Sequence, residues 1–535
     1  MIERILHNGQ IITLNPQQPR SSALAIAKGR IVALGGDAAM LALADRSTQI
    51  EDLRGLCVVP GMADAHIHWM MTARALDMVD LFDVPSLAEA LQRVRERAEK
   101  TEPGCWILGY GWSQDLWPGR RFPTAADLDS VAPYHPVFLR ARSGHAAWVN
   151  SLALRAAQID AATPDPEGGA IMRTANGQPT GILLEGSAID LAARVTPRTT
   201  GDALAEQMRT AQEKALSLGI TMLHDLDNQP CLEALLRLRE RGQLKLRVLK
   251  YFNVQYLEPA LTMGLRFGFG DDWLRLGGLK LFADGALGPL TAALLEPYDG
   301  QPDNTGIIVT EPDEMLKLIS RATLAGFPTA VHAIGDRAIR LVLDVFEQVR
   351  RVEAEHGIAR EHRRHRIEHV QLIHPNDVGR LAALGIIASM QPIHATSDYP
   401  IADRYWGTRV PFAYNPRLQI DHGAIVAFGS DSPYDNMGSF KGIHAAVTRR
   451  RPDGSPGQDG WNPAARITAA EALRGYTFGP AYAAGMEDRL GVLAPGYYAD
   501  LVVIDRDPLA IPSDALGSIG VIATMVGGLW QFGAL

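Results

Sequence analysis

Cysteine is scarce in this 535-residue chain: Cys57, Cys105 and Cys231 lie far apart and form no CxxC pair. That excludes a disulfide framework and a thiolate metal site, and it fits a reducing, cytoplasmic compartment. Excess positive charge is also missing, with 52 Lys and Arg against 60 Asp and Glu, a net charge of -8 and a pI near 6.0. Without a basic footprint, neither nucleic acid nor an anionic membrane is the expected partner; a small molecule or a protein is. No apolar run reaches the roughly 18 residues of a membrane helix. Residues 1–9 carry an acid at Glu3 and turn polar by His7, which is no signal-peptide pattern. Repeats and low-complexity tracts are absent too. What the chain has is bulk: at 47% hydrophobic and 21% charged, it can bury a large core and exceeds one small domain.

Both ends are β-rich. Runs at 10–14, 23–27 and 31–34 alternate with turns, and 499–505 and 519–526 mirror them, so the ends can pair into one sheet. This predicts a composite β-sandwich domain from 1–57 plus 485–535. Between them, over 58–484, apolar runs at 58–68, 219–225, 244–254, 276–283, 328–333, 365–370, 386–391 and 424–430 alternate with Ala- and Leu-rich helical patterns. Eight such units predict an α/β fold, a (β/α)₈ TIM barrel whose active site lies at the C-terminal ends of its strands. About 150 residues separate the first two strands, far more than one helix needs. An insertion at 80–215, rich in Trp, Gly and Pro, fills the gap as a lid or a substrate-specificity region.

Chemistry-bearing residues collect at the predicted strand ends: His66 and His68, Lys280, His332, His369 and Asp431. Residues two apart on a strand share a face, so His66 and His68 can converge on one cation. A single histidine at a strand end is more often a hydrogen-bonded structural residue, and Asp431 in Ser430-Asp431-Ser432-Pro433 also suits a turn. As a set they are informative, because imidazole nitrogens and carboxylate oxygens are the ligands of Zn²⁺ and similar ions, with Mn²⁺ or Fe²⁺ as alternatives. Asp64, on the same face two residues before His66, is positioned to orient a ligand histidine. His145, His224 and Trp112 are candidate substrate contacts. Glu368, beside His369, should face the other way.

The motifs Pro60-Gly61-Met62-Ala63-Asp64-Ala65-His66-Ile67-His68, Lys280-Leu281-Phe282-Ala283-Asp284-Gly285, His332-Ala333-Ile334-Gly335-Asp336, Arg366-Ile367-Glu368-His369 and Gly429-Ser430-Asp431 resemble the amidohydrolase superfamily. Within it the chain is similar to the N-substituted formamide deformylase-like (YtcJ-like) branch, the insertion included through Gly111-Trp112, Pro123-Thr124 and Ser143-Gly144-His145. The resemblance implies a binuclear centre. His66, His68 and Asp431 hold one metal, His332 and His369 hold the second, and Lys280 bridges them as a carbamate. An ammonium has no lone pair, so Lys280 can serve only once CO₂ has made it anionic; otherwise it is a barrel lysine paired to an acid.

The implied activity is metal-dependent hydrolysis of a non-peptide C–N bond, in an amide, N-formyl group or cyclic amide. A metal-activated hydroxide attacks, with Asp431 as general base and then general acid. Two alternatives stand beside it. One is a mononuclear deaminase-like amidohydrolase, which needs a proton-shuttling Glu three residues after His332, where this chain has Gly335. The other is a non-catalytic metal-binding regulator. Base rates point to a homodimer.

Overall fold

The computed structural model describes residues 1–82, 84–114, 117–142, 146–197 and 199–535. It divides into two compact units, one of Met1–Met71 with Met208–Leu535 and one of Thr72–Gln207. The second unit overlaps the segment expected as an insertion, and both its boundaries fall earlier in the chain. Among the described residues, no helix is long and apolar enough to cross a membrane.

The first unit contains the barrel. Eight parallel strands follow one another in sequence order: Met62–Ile67, Ile220–Asp225, Arg247–Asn253, Leu274–Phe282, Thr329–Ala333, Arg366–His369, Ile387–Met390 and Val426–Phe428. Most of these strands are buried at nearly every residue, as parallel strands covered by helices require. The outer layer packs Leu279, Leu281, Val331 and Ile367 against Ile339, Val342, Leu343 and Phe346 of the helix Asp336–Glu355. Between the eighth and first strands the barrel closes at its C-terminal end. The Asp431 amide donates to the His66 carbonyl (2.7 Å), and the His68 amide to the Ser432 carbonyl (3.0 Å). Gly429 permits that approach, since a Cβ there would stand 2.4 Å from the His66 nitrogen.

The run 58–68, expected as one strand, is two. Cys57–Pro60 belongs to a six-stranded sheet and Met62–Ile67 to the barrel. The chain crosses between them at Gly61, where a Cβ would press 2.3 Å from the Thr221 hydroxyl. Periodicity alone does not mark this break, because both halves are fully buried. The six-stranded sheet joins the two chain ends: Cys57–Pro60 pairs antiparallel with Leu501–Ile504 and parallel with Gln10–Ile12. A four-stranded sheet of Arg30–Gly35, Ala23–Ala27, Arg4–His7 and Gln49–Asp52 comes from the N-terminal segment alone. Leu6, Leu24, Ile26 and Ile31 of this sheet bury against Ile11, Val58, Leu501, Val503 and Met525 of the other, forming a sandwich core.

The second unit is a mixed six-stranded sheet, ordered Ala170–Arg173, Pro179–Leu184, Ala146–Val149, Val137–Ala141, Ile107–Trp112 and Val79–Asp80, with short helices such as Leu87–Ala98. Its core holds three buried tryptophans, Trp112, Trp117 and Trp148, with ring centroids 6.1 to 6.2 Å apart.

Candidate metal centre

His66, Lys280, His332 and His369 all lie at or near the C-terminal ends of their strands, His68 immediately follows its strand, and Asp431 stands three residues after Phe428, the last of its own. Two of these positions are held in the left-handed backbone region, His369 at φ 75° and Asp431 at φ 58°. Such conformations cost energy in non-glycine residues and cluster where geometry serves a site. At His369 the consequence is direct. The alternation of the sixth strand turns Arg366 and Glu368 into the barrel, and the positive φ then swings the His369 ring to within 4.7 Å of His66 and 4.5 Å of His332, measured between centroids. Glu368, expected to face away, is therefore an interior residue, fully buried.

Hydrogen bonds select which nitrogen of each imidazole remains free. The Nδ1 of His66 donates to Glu368 Oε2 (2.5 Å), that of His68 to Asp227 Oδ1 (3.1 Å), and that of His369 to Gln391 Oε1 (2.9 Å). In its neutral form each therefore keeps Nε2 as its lone-pair nitrogen, the arrangement in which an outer carboxylate or amide orients a ligand histidine. His332 does the reverse: its Nε2 donates to the Gly285 carbonyl (2.9 Å), leaving Nδ1.

Asp431 completes the set. Its Oδ1 is buried, meets no well-aligned hydrogen-bond donor among the described residues, and lies 3.4 Å from His66 Nε2 and 3.3 Å from His68 Nε2. A buried carboxylate oxygen without a donor, facing imidazole lone pairs, is costly by itself and fits a cation between them. Donor atoms of His66, His369 and Asp431 all fall within 4.8 Å of one another. That trio draws from both of the ligand sets the resemblance separates.

The local charges agree. Burial disfavours a charged His68, yet the Asp227 and Asp431 carboxylates override it and push the imidazole up to about 10. A place where two carboxylates attract a proton attracts a metal cation for the same reason. Burial, aided by Lys280, pushes His332 down to about 3, and burial with neighbouring imidazoles also holds His369 low, so both present neutral lone pairs. Against its own burial, Glu368 stays ionised through Arg366, then His66. Lys280 is pushed down to about 8 by burial.

Beneath the centre the barrel interior is polar. Arg366 donates to Glu368, to Ser389 Oγ (3.1 Å) and to His224 Nδ1 (2.9 Å), and lies over the Tyr251 ring. His224, expected at the substrate, is thus fully buried and held by Arg366, which with burial keeps it neutral. Trp112, a second of the three expected contacts, is fully buried within the second unit, its Nε1 donating to the Leu139 carbonyl (2.9 Å). Packing engages the whole indole. His145 lies outside the described residues. Asp64 orients backbone rather than an imidazole: Oδ1 accepts from the amides of His66 (3.1 Å) and Ser430 (3.0 Å), and Oδ2 from the Ser430 hydroxyl (2.5 Å). Burial raises it to about 6.

Sequence reasoning passed over Asp227, Gln391 and His394. Each carries a signal in retrospect: His224-Asp225-Leu226-Asp227 and Gln391-Pro392-Ile393-His394 are polar clusters at the C-terminal ends of the second and seventh strands, where barrels place function.

An eight-stranded parallel barrel with four histidines and a carboxylate at its C-terminal mouth defines a (β/α)₈ protein of the metal-dependent hydrolase class. The chain is similar to N-substituted formamide deformylase of Arthrobacter pascens, 29% identical over 99% of this chain and 98% of its own. Protein LONG AFTER FAR-RED 3 of Arabidopsis thaliana is 32% identical over 98% of this chain and 90% of its own. The crystal structure of an uncharacterized metal-dependent hydrolase from Pyrococcus furiosus superposes with a TM-score of 0.77 at 32% identity, covering 95% of this chain and 99% of that one. The amidohydrolase family model matches residues 49–529. The chain belongs to the amidohydrolase family.

Proposed function

We propose that the protein hydrolyses a non-peptide C–N bond in a small amide, N-formyl amine or cyclic amide, using divalent metal at the barrel mouth. The observation that carries this reading is the unsatisfied Asp431 Oδ1 facing the Nε2 atoms of His66 and His68. Bound there, a divalent cation such as Zn²⁺ supplies Lewis acidity and an activated water. His66, His68, His332, His369 and Asp431 are the residues that would hold it. Asp431, ionised and at the edge of the ligand set, is placed to take the proton from the attacking water and return it to the leaving nitrogen. The N-substituted formamide deformylase relative supports a C–N bond as the target.

Lys280 belongs to the same proposal. Burial pushes its amine down to about 8, so a fraction is neutral near physiological pH, and that neutral amine could add CO₂ with release of a proton to give a carbamate, an anionic oxygen ligand that would help to hold metal. A single ion is the second reading, favoured by the convergence of His66, His369 and Asp431 on one point.

Elemental analysis of purified protein, with turnover measured on a panel of N-formyl and N-acyl amines, lactams and carbamates, tests both. Near two equivalents of metal, and an Asp431→Asn variant slowed by about 10³-fold, are expected. One equivalent selects the single-ion reading; absent metal and unaffected Asp431→Asn turnover sink the hydrolase.

A further inference from the structure

Two exposed aromatic rings stand against the candidate ligand histidines, one at each end of the set. Phe282 closes the fourth strand two residues after Lys280, so both side chains share the face that lines the barrel mouth. The Lys280 Nζ lies 4.8 Å from the Phe282 ring centroid, and that ring lies 5.3 Å from the His332 ring. At the other end Tyr434 meets the His68 ring edge to face, 5.6 Å between centroids. Between them the imidazoles follow one another at 4.5 Å from His332 to His369, 4.7 Å from His369 to His66 and 5.8 Å from His66 to His68. The rings thus form one continuous file across the centre, imidazoles within and a benzene ring at either end.

Exposure separates the ends of the file from its middle. His66 and His369 are buried, whereas Phe282 is 42% exposed and Tyr434 63%. Backbone contacts hold both end residues in place. The Phe282 carbonyl accepts from Thr310 Oγ1 (2.7 Å), and the next amide, of Ala283, donates to the His332 carbonyl (2.8 Å). The Tyr434 amide donates to the Asp431 carbonyl (3.0 Å), so the turn that carries Asp431 also places Tyr434. A single exposed apolar side chain is ordinary at a protein surface. Two aromatic rings held on opposite sides of one buried polar centre have the makings of a ligand site, apolar walls around a few converging polar groups. The file also has a direction. Asp431 Oδ1 faces His66 and His68, at the Tyr434 end. A leaving nitrogen that takes its proton from Asp431 therefore lies toward Tyr434, and the acyl group extends the other way, toward His332 and Phe282.

We propose that Phe282 and Tyr434 determine substrate specificity: the site takes an amide with apolar substituents, its amine-side group packing on Tyr434 and its acyl-side group on Phe282. The inference rests on the hydrolytic reading above, which supplies the direction of the bond. The metal ligands meet only the reacting atoms and read nothing beyond them. Each ring covers apolar substituent surface that would otherwise face water, a gain that grows with the area covered. The two rings therefore select by size and apolarity, each on its own side of the scissile bond.

The test uses two isomeric amides that differ only in which side of the C–N bond carries the phenyl ring, N-phenethylacetamide and N-methylhydrocinnamamide. kcat/KM is measured for both with purified, metal-loaded wild type, Tyr434→Ala and Phe282→Ala. In Tyr434→Ala the ratio of the first isomer to the second should fall at least about tenfold, and in Phe282→Ala it should rise at least about tenfold. Partial loss of metal or of folded protein lowers both rates alike and leaves the ratio unmoved. Calorimetric titration with the ring-bearing products reads the same contacts without turnover. Tyr434→Ala should weaken phenethylamine at least about tenfold relative to hydrocinnamate, and Phe282→Ala should do the opposite. Ratios that keep the wild-type value in either measurement, or that move in any other pattern, overturn the assignment even where amides are hydrolysed. If wild type hydrolyses nothing on the amide panel yet the product affinities divide as stated, the hydrolytic reading falls and the two ring contacts stand.

Discussion

The barrel mouth and the tryptophan core of the second unit both bury polar atoms, but they treat them in opposite ways. In the second unit each polar atom of the cluster is closed off: Trp112 Nε1 donates to Leu139, Trp117 Nε1 to Val84 and Trp148 Nε1 to Thr124, all to backbone carbonyls. The barrel mouth satisfies one nitrogen of each histidine and leaves the other, together with Asp431 Oδ1, facing inward. Buried polar groups are ordinarily paired. A region that pairs all of them is built for stability, and one that withholds several toward a single point is built to bind. The same residue types serve both ends, so the distinction lies in which atoms are left over.

Substitutions can break this comparison. The largest effect is expected at His66→Ala, which removes a ligand outright: bound metal should fall to background and turnover by about 10³-fold or more, as read by elemental analysis and rate on one panel substrate. A variant that kept full metal and rate would place the centre elsewhere. In the second unit, Trp112→Ala should cost about 3–5 kcal/mol of stability, followed by denaturant unfolding, with metal content unaltered. If KM rose with stability unchanged, Trp112 would be a substrate contact after all.

A third variant sharpens the contrast with a histidine that has no free nitrogen. His365 accepts from the Thr329 amide at Nδ1 (3.1 Å) and donates to Glu353 from Nε2 (2.9 Å), and burial holds it down to about 4 from 6.5. Protonation would break the Thr329 bond. Because the folded value lies below the unfolded one, its contribution is fully present above about pH 6.5 and is lost as pH falls toward 4. The size is about 3 kcal/mol. Stability of His365→Gln, measured by denaturant unfolding across that window, should fall less steeply with acid than that of wild type. The smallest effect is expected at Glu368→Gln: without its carboxylate on Nδ1, His66 loses orientation, and metal affinity should weaken about 10- to 100-fold in competition with a chromogenic chelator. Unchanged affinity would make Glu368 a partner of Arg366 alone.

Much of the barrel was legible beforehand because parallel strands covered on both faces leave long apolar runs: seven of the eight runs became single strands with shifted ends, and 58–68 divided into two. The ligand candidates were legible for a related reason: polar residues at the C-terminal ends of such runs interrupt the apolar pattern. Glu368 was misjudged because strand alternation holds only while the backbone stays extended, and His369 leaves that region at φ 75°. Asp227 and Gln391 escaped attention because orienting a histidine requires only an acceptor in reach, and reach depends on elements about 160 residues apart for His68 and Asp227.

Sequence alone therefore determined the eight-stranded repeat, the pairing of the chain ends, the metal-ligand candidates and the family resemblance, since each depends on local pattern or residue chemistry. Tertiary structure decided that 58–68 divides at Gly61, that Trp112 and His224 are packed away, and that Glu368, Asp227 and Gln391 select the free nitrogen of three histidines. Those outcomes depend on which distant atoms meet across the closed barrel, and no local pattern encodes that meeting.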